Sequence, residues 1–579
     1  MTRSRRRAAR GRGDLPPVTR PDPQLELAAV HPLPSLSRAA AAAGVLVLLG
    51  SVFLAYIPVM HAGYVRFDDS DYIEENHLLR TAAGLRQIWT SPQVYPPGVP
   101  YYPVTYTSHW AEFHLWGANP LGYHLTNVGL HALNALLVWL LLRRLHVPGA
   151  LFGALLFALH PVQVQSVAWL AERKNVLSAL FYFLTVLAWL RFARTGSRPM
   201  YALALVVFVL GLLSKTVICT LPVALLLWIW WRRPSPMGKH LLLVTPLLCL
   251  AALGTWLVIW RENTLLEGKT FASGFLLTER LLIGGRALWF YAGKLLLPVD
   301  LVPIYPHWTV DTQAVVPYVF PLAAAMVIVA AWLLRRRIGR APLVAVLFFA
   351  VTLAPTSGLV DFGYMGKSFV GDHYQYIPSL AVFAGLAAVG AKLAARWGRP
   401  SYYGMPAMAA AIVLGVGALT WRQCGVYRDA ETFWGYVVAR NPSATALSSL
   451  GDVCFRKGDL TRAEDLLRRA LAQGDHTNTR FRLGCVLIER REFAAAAEQF
   501  ERALYLNRTR NRLRGMNARA LFNLGYCRYS LGDYPQAADA CRQAVELDSS
   551  LTAAKQLQTS AEDILRNRSA SPKPAAQHP

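Results

Sequence analysis

Five carboxylates fall within the ten residues FDDSDYIEEN (67–76): Asp68, Asp69, Asp71, Glu74 and Glu75. A carboxylate at a membrane surface can take the proton of a hydroxyl and so raise that oxygen's nucleophilicity. Two adjacent carboxylates repel as anions, which lifts one pKa toward the working range. The same pair could hold a divalent cation, and a solvated turn has the same composition. Asp68 and Asp69 are therefore the candidate catalytic pair, one as base and one orienting it, with Asp69 the favoured base.

Other chemistry-bearing residues lie far away in sequence. FALHPVQVQSVAWLAERKNVLSALFYFL (157–184) carries His160, Glu172, Arg173 and Lys174 between two apolar stretches. A basic pair at the mouth of a helix bundle suits a phosphate-bearing headgroup, although snorkelling side chains also sit there. Lys215 stands alone in LLSKTVICTLP (212–222), at a tight break between two apolar helices. VGDHYQYIPS (370–379) joins Asp372, His373 and Tyr374, a mixture suited to sugar or phosphate contact or to an interfacial aromatic belt. His109, His114, His124 and His131 are spread too widely for a metal site and are expected to pack and hydrogen-bond. No metal or other cofactor is expected.

The elements that must position these groups are membrane helices. Of 579 residues, 54% are hydrophobic and 16% charged, with a mean hydropathy of +0.30. Apolar stretches long enough to cross about 30 Å of hydrocarbon recur up to residue 421. Eleven spans are expected, near 39–58, 121–142, 149–167, 175–193, 199–213, 216–231, 241–260, 315–334, 341–357, 375–393 and 403–421. The net charge of +25 is spread in short basic clusters between alternate apolar stretches. That is the positive-inside pattern, and it argues against nucleic-acid binding. Residues 280–299 are apolar but contain Arg280, Arg286 and Lys294, which predicts an interfacial or re-entrant helix. An odd span count with a cytoplasmic N-terminus puts everything after 421 outside. The first outer loop, 59–120, then carries the acidic cluster. Residues 1–38, with eight Arg against three acidic residues, are expected to form a disordered cytoplasmic arm.

After residue 421 the pattern changes. Leu450-Gly451, Leu483-Gly484 and Leu524-Gly525 head three repeats, each followed thirteen residues after its Leu by Ala463, Ala496 and Ala537, and twenty after by Ala470, Ala503 and Ala544. This is a tetratricopeptide (TPR) pattern, in which small residues let paired helices approach closely. Residues 444–560 form the array, 422–443 a linker with a half-repeat, and 566–579 a disordered tail. The basic insertion NRTRNRLRG (507–515) favours an acidic partner or anionic headgroups.

FDDSDYI, LWGANPLGYHLTNVGLHALNALL, FALHPVQVQSVAWLAERKNVLSALFY, LLSKT, YPHW (305–308) and GDHYQYIPS, followed by the repeats, form an ordered series. Over about residues 40–560 it resembles bacterial membrane proteins with C-terminal TPRs. These are similar in turn to the eukaryotic transmembrane-and-TPR O-mannosyltransferases of the GT-C glycosyltransferase class. The resemblance implies a polyprenyl-phosphate sugar donor, an active site facing the periplasm or lumen, and a base in the first outer loop, onto which Asp68 and Asp69 fall. It places Arg173, Lys174 and Lys215 near the donor phosphate. One departure stands out: the family usually carries a His and a Glu where this chain has Gln163 and Gln165.

The expectation is an all-helical protein of a bacterial inner membrane, with an extracytoplasmic TPR solenoid holding a protein or peptide acceptor. It would transfer a sugar to a hydroxyl. The alternatives are a non-catalytic membrane-anchored TPR scaffold and a lipid-linked sugar flippase. The flippase would need ionisable groups deep in the bundle rather than at its mouth.

Overall fold

The computed structural model describes residues 36–92, 95, 100–232, 237–265, 274–396, 401–508 and 514–570. Most of the basic arm, the centre of the 507–515 insertion and the tail from 571 lie outside the described residues. Among those described, every regular element is a helix.

All eleven expected apolar segments are helical, but they differ in reach. Among the described residues, seven helices are long and apolar enough to cross a membrane: Arg38–Ala55, Pro120–Arg144, Leu170–Thr195, Met237–Arg261, Val316–Ile338, Ser379–Arg396 and Gly404–Tyr427. The 149–167 segment is instead two helices, Ala150–Leu159 and Pro161–Ala168, bent by 48°. The break has a cause in sequence. Pro161 has no N–H to give, and the residue before a proline is pushed to extended backbone, as His160 is at ψ 131°. Arg198–Leu212, Thr216–Arg232 and Ala341–Thr356 are shorter apolar helices. The first two part at Leu213–Lys215, where the sequence places a turn.

Helix Leu277–Leu296 falls outside the apolar set, in keeping with its half-buried charges. Arg280 pairs with Asp361 at 2.8 Å, and the Arg286 guanidinium lies 4.7 Å from the Trp308 ring centroid. Gly285 allows it to pack on the proline of Val316–Ile338, since a Cβ there would come within 2.7 Å of Pro321.

The C-terminal region is a solenoid of helix pairs: Ala444–Arg456 with Leu460–Ala472, Thr477–Glu489 with Phe493–Arg508, and Arg514–Ser530 with Tyr534–Leu547. Helix Thr552–Ala570 closes the array, so residues 566–570 extend a helix rather than begin the tail. The three repeat glycines mark close approach: a Cβ on Gly451, Gly484 or Gly525 would come within 2.9 Å of Leu467, 2.7 Å of Phe500 or 2.6 Å of Cys541. The paired alanines are all buried. The linker helix Ala430–Arg440, capped by the Asp429 side chain on the Thr432 N–H, precedes the array. One hydrophobic cluster runs from Leu48 in the bundle through Trp434 and Val437 of this linker helix into Leu450 and Leu483 of the repeats.

Candidate functional site

The acidic loop leaves the first long helix through Arg66, whose φ of +53° is uncommon for a residue with a side chain. Its guanidinium bonds Glu74 at 3.1 Å. A wide helical turn, Ser70–Glu74, follows and buries Tyr72 and Ile73. Asp69 is only 1% exposed. Its Oδ2 accepts the Val65 N–H at 2.9 Å and its Oδ1 accepts the Ala171 N–H at 3.0 Å. Burial pushes its pKa up to about 7 against those two bonds, helped by the charges of Asp68 and Glu74. Both oxygens are thus engaged: Oδ1 docks the loop onto residues 169–174 and Oδ2 ties it back to Val65. Asp68 is different. Its side chain is 31% exposed, and its Oδ1 lies 3.8 Å from Lys367 Nζ.

The docked partner begins with Trp169, which stacks on Phe67 at 4.9 Å between ring centroids. Glu172 follows and is bracketed by two ammonium groups: Lys174 Nζ sits 2.8 Å from Oε1 and Lys215 Nζ 3.2 Å from Oε2. Lys215 also donates to Asn175 Oδ1 at 2.6 Å. The lysines do not snorkel outward, since both are buried, and each faces an aromatic ring. Lys174 lies 4.6 Å from the Tyr72 centroid and Lys215 5.4 Å from that of Tyr374. Burial pushes the Lys215 ammonium down to about 8, opposed by Glu172 and reinforced by Lys174. The charge of Asp68 acts on Lys215 as well. A cleft beside this group is lined by Asn175, Thr220, His373, Tyr374 and Tyr376, among others. His373 is kept neutral by burial, with its pKa lowered to about 3, and its Nδ1 has no hydrogen-bond partner among the described residues.

The structure therefore brings together Asp68, Glu172, Lys174, Lys215, His373 and Tyr374. It sets three other candidates apart. Arg173 is fully buried and committed to Glu112 by two bonds, at 2.6 and 2.9 Å, and to the Tyr123 carbonyl at 3.0 Å. Its Nε donates to Asn127. Burial opposes the charge of Glu112, but Arg173 and His109 hold its carboxyl well below the usual range. Arg173 is thus a buried strut rather than a free phosphate ligand. His160 caps the turn at the 48° bend and packs on Phe383 at 5.0 Å. Asp372 takes the Tyr305 hydroxyl on both oxygens at 3.1 Å, and burial raises its pKa to about 7.

The two glutamines are braces. Gln165 donates to the Pro303 carbonyl at 3.0 Å and accepts the His373 N–H at 3.0 Å. Gln163 donates to Ser379 at 3.0 Å. Sequence reasoning missed Glu112, Asn175, Tyr72 and Lys367. Glu112 sits on the helix Pro103–Trp116, where a lone acid among aromatics could have flagged a buried pair. Of the four histidines, His131 bridges the Tyr376 hydroxyl at 2.7 Å and the Ala158 carbonyl at 2.9 Å. His109 is fully buried, with Nδ1 3.5 Å from Glu112 Oε2 and Nε2 without a hydrogen-bond partner among the described residues.

A buried pair of cations around one acid, with a second, accessible acid close by, can compensate a dianionic leaving group while accepting a proton. Comparison with known proteins agrees in kind. The family described as dolichyl-phosphate-mannose-protein mannosyltransferase matches residues 101–260, which include Glu112, Glu172, Lys174 and Lys215. The tetratricopeptide repeat family matches 425–476 and 481–551. A relative from Drosophila melanogaster, protein O-mannosyl-transferase Tmtc1, is 31% identical over 197 residues, covering 32% of this chain and 22% of the relative. Human protein O-mannosyl-transferase TMTC4 is 28% identical over 173 residues, covering 26% and 23%. The match thus spans less than a quarter of either relative's length. A crystal structure of the APC/C hetero-tetramer Cut9-Hcn1 aligns over 86% of this chain and 92% of its own, at 15% identity, but its TM-score of 0.23 carries no argument. The chain is an integral membrane protein that resembles protein O-mannosyl-transferases over about a third of its length and carries tetratricopeptide repeats.

Proposed function

We propose that this membrane protein transfers a mannose-type sugar from a polyprenyl-phosphate donor to a hydroxyl of a protein acceptor, on the extracytoplasmic side of the membrane. The observation that carries the proposal is the Lys174–Glu172–Lys215 group within electrostatic reach of the accessible Asp68. In the reaction the acceptor oxygen attacks the anomeric carbon with inversion. The bond from that carbon to the phosphate oxygen breaks, the hydroxyl proton passes to Asp68, and the polyprenyl phosphate leaves. Lys174 and Lys215 offset the charge gathering on the phosphate. Glu172 holds both ammonium groups in place and limits their net charge, which helps the product depart. Asp69 acts through Asp68 by fixing the loop. His373 and Tyr374 line the cleft where the sugar would lie. The repeats hold the acceptor polypeptide.

The test is transfer by the purified chain in lipid, supplied with polyprenyl-phosphate mannose and a Ser/Thr-containing peptide. Mannosylated peptide and free polyprenyl phosphate are the expected products. Folded protein that binds the peptide through its repeats but transfers nothing would favour the scaffold.

A further inference from the structure

The linker helix Ala430–Arg440 leads into the repeats and pairs with them through Glu431, yet it also contacts the acidic loop. Trp434 is buried, and its Nε1–H donates to the Val65 carbonyl at 3.0 Å. The N–H of the same Val65 donates to Asp69 Oδ2 at 2.9 Å. The Trp434 ring meets Phe67, the residue before Asp68, edge-on at 5.3 Å between centroids. Phe433 lies 6.3 Å from Phe67, and the Gly63 N–H donates to the Arg428 carbonyl at 2.8 Å. Further along the helix, Tyr436 donates to the Leu301 carbonyl at 3.1 Å and Asn441 to the Ile304 carbonyl at 3.1 Å. The 301–304 segment leads into Tyr305, which holds Asp372. The acidic loop and the segment whose Tyr305 holds Asp372 are therefore both fastened to one helix of the repeat region.

We propose that Trp434 is a positioning residue for the acidic loop: its indole N–H sets Val65, Val65 sets Asp69, and the loop so fixed presents Asp68 to the cleft. The proposal rests on the transferase reading for its consequence in rate, but not for its consequence in loop order. Because the linker helix shares a hydrophobic cluster with the first repeat, the array is coupled to the site through it.

The experiment uses the full chain in lipid with Trp434→Phe, which keeps an aromatic ring against Phe67 and removes the N–H donor with part of the indole. Arg490→Ala, which breaks an exposed pair with Glu464 inside the repeats, is the control. Hydrogen exchange of residues 63–75 is expected to quicken about tenfold in Trp434→Phe and to stay unchanged in the control. The turnover number kcat with polyprenyl-phosphate mannose is expected to fall about tenfold, since small misplacement of a catalytic group is costly. The donor KM should stay within about twofold, because the lysines are not disturbed. Unchanged exchange of 63–75 overturns the proposal, as does unchanged kcat in an active enzyme. If the wild type transfers nothing, the transferase reading fails and exchange alone decides the positioning role. Lost protection then supports it, and retained protection overturns it.

Discussion

Asp69 takes a backbone N–H on each carboxylate oxygen, and an asparagine has only one acceptor to offer. Asp69→Asn therefore sets an NH₂ against one of those N–H groups. The expected cost is about 1–3 kcal/mol, read as a lower thermal midpoint and faster exchange of residues 63–75. That distinction was not legible in the sequence. Two adjacent aspartates look alike there, and only the docking of the loop onto Ala171 separates the buried one from the exposed one. Lys215 was legible, because a lone lysine between two apolar helices must find a partner. Its pairing with Glu172 depends on a contact 43 residues apart. The ammonium is held at about 8 by burial, so it is charged below that pH and loses its charge as pH rises through it. The donor KM is accordingly expected to climb as pH passes about 8. Lys215→Arg, which stays charged, should flatten that limb while binding less well, since a planar fork replaces a point charge. A donor KM indifferent to pH between 7 and 9.5 would argue against Lys215 at the phosphate.

The elements show why a phosphate-binding role for Arg173 fails and what the glutamines do. Arg173 opens the helix Arg173–Thr195 but turns inward to Glu112 on Pro103–Trp116, so it ties two helices together. Arg173→Ala leaves the buried Glu112 with only the neutral His109 beside it, at a cost of about 3–5 kcal/mol. Removing Glu112 as well should recover part of that loss in thermal unfolding, a coupling that a ligand-binding arginine would not show. Gln165 uses both ends of its amide to join the Pro303 and His373 segments. Gln165→Glu would point an anion at the Pro303 carbonyl, so it is expected to lower the thermal midpoint rather than restore a lost activity. The break at Pro161 falls inside a segment expected to be one span and has its cause in proline's geometry, while the apolar stretches followed directly from composition. The inward turn of Arg173 did not, because a charged residue at a helix end looks the same from sequence whether it faces lipid phosphate or a buried acid.

At the scale of the whole molecule, the repeat array was the most legible part, since Gly and Ala at fixed offsets are dictated by close helix packing. The attachment of its leading helix to the acidic loop was not, because nothing in a repeat pattern says what lies beneath its first helix. The proposed topology puts the 335–340 arginine cluster and the repeats on opposite sides of the membrane. Cysteine labelling after residue 440 should therefore succeed from outside, and labelling at 336–340 only after permeabilisation. The central claim concerns one carboxylate, and one comparison tests it most directly: initial rates of mannosyl transfer by wild type and Asp68→Asn, at matched folded protein in lipid. The substitution preserves size and removes the proton acceptor. The account predicts a loss of about 10²–10⁴-fold in kcat, with donor KM and thermal midpoint close to wild type. An Asp68→Asn protein that transfers at near wild-type rate would contradict it.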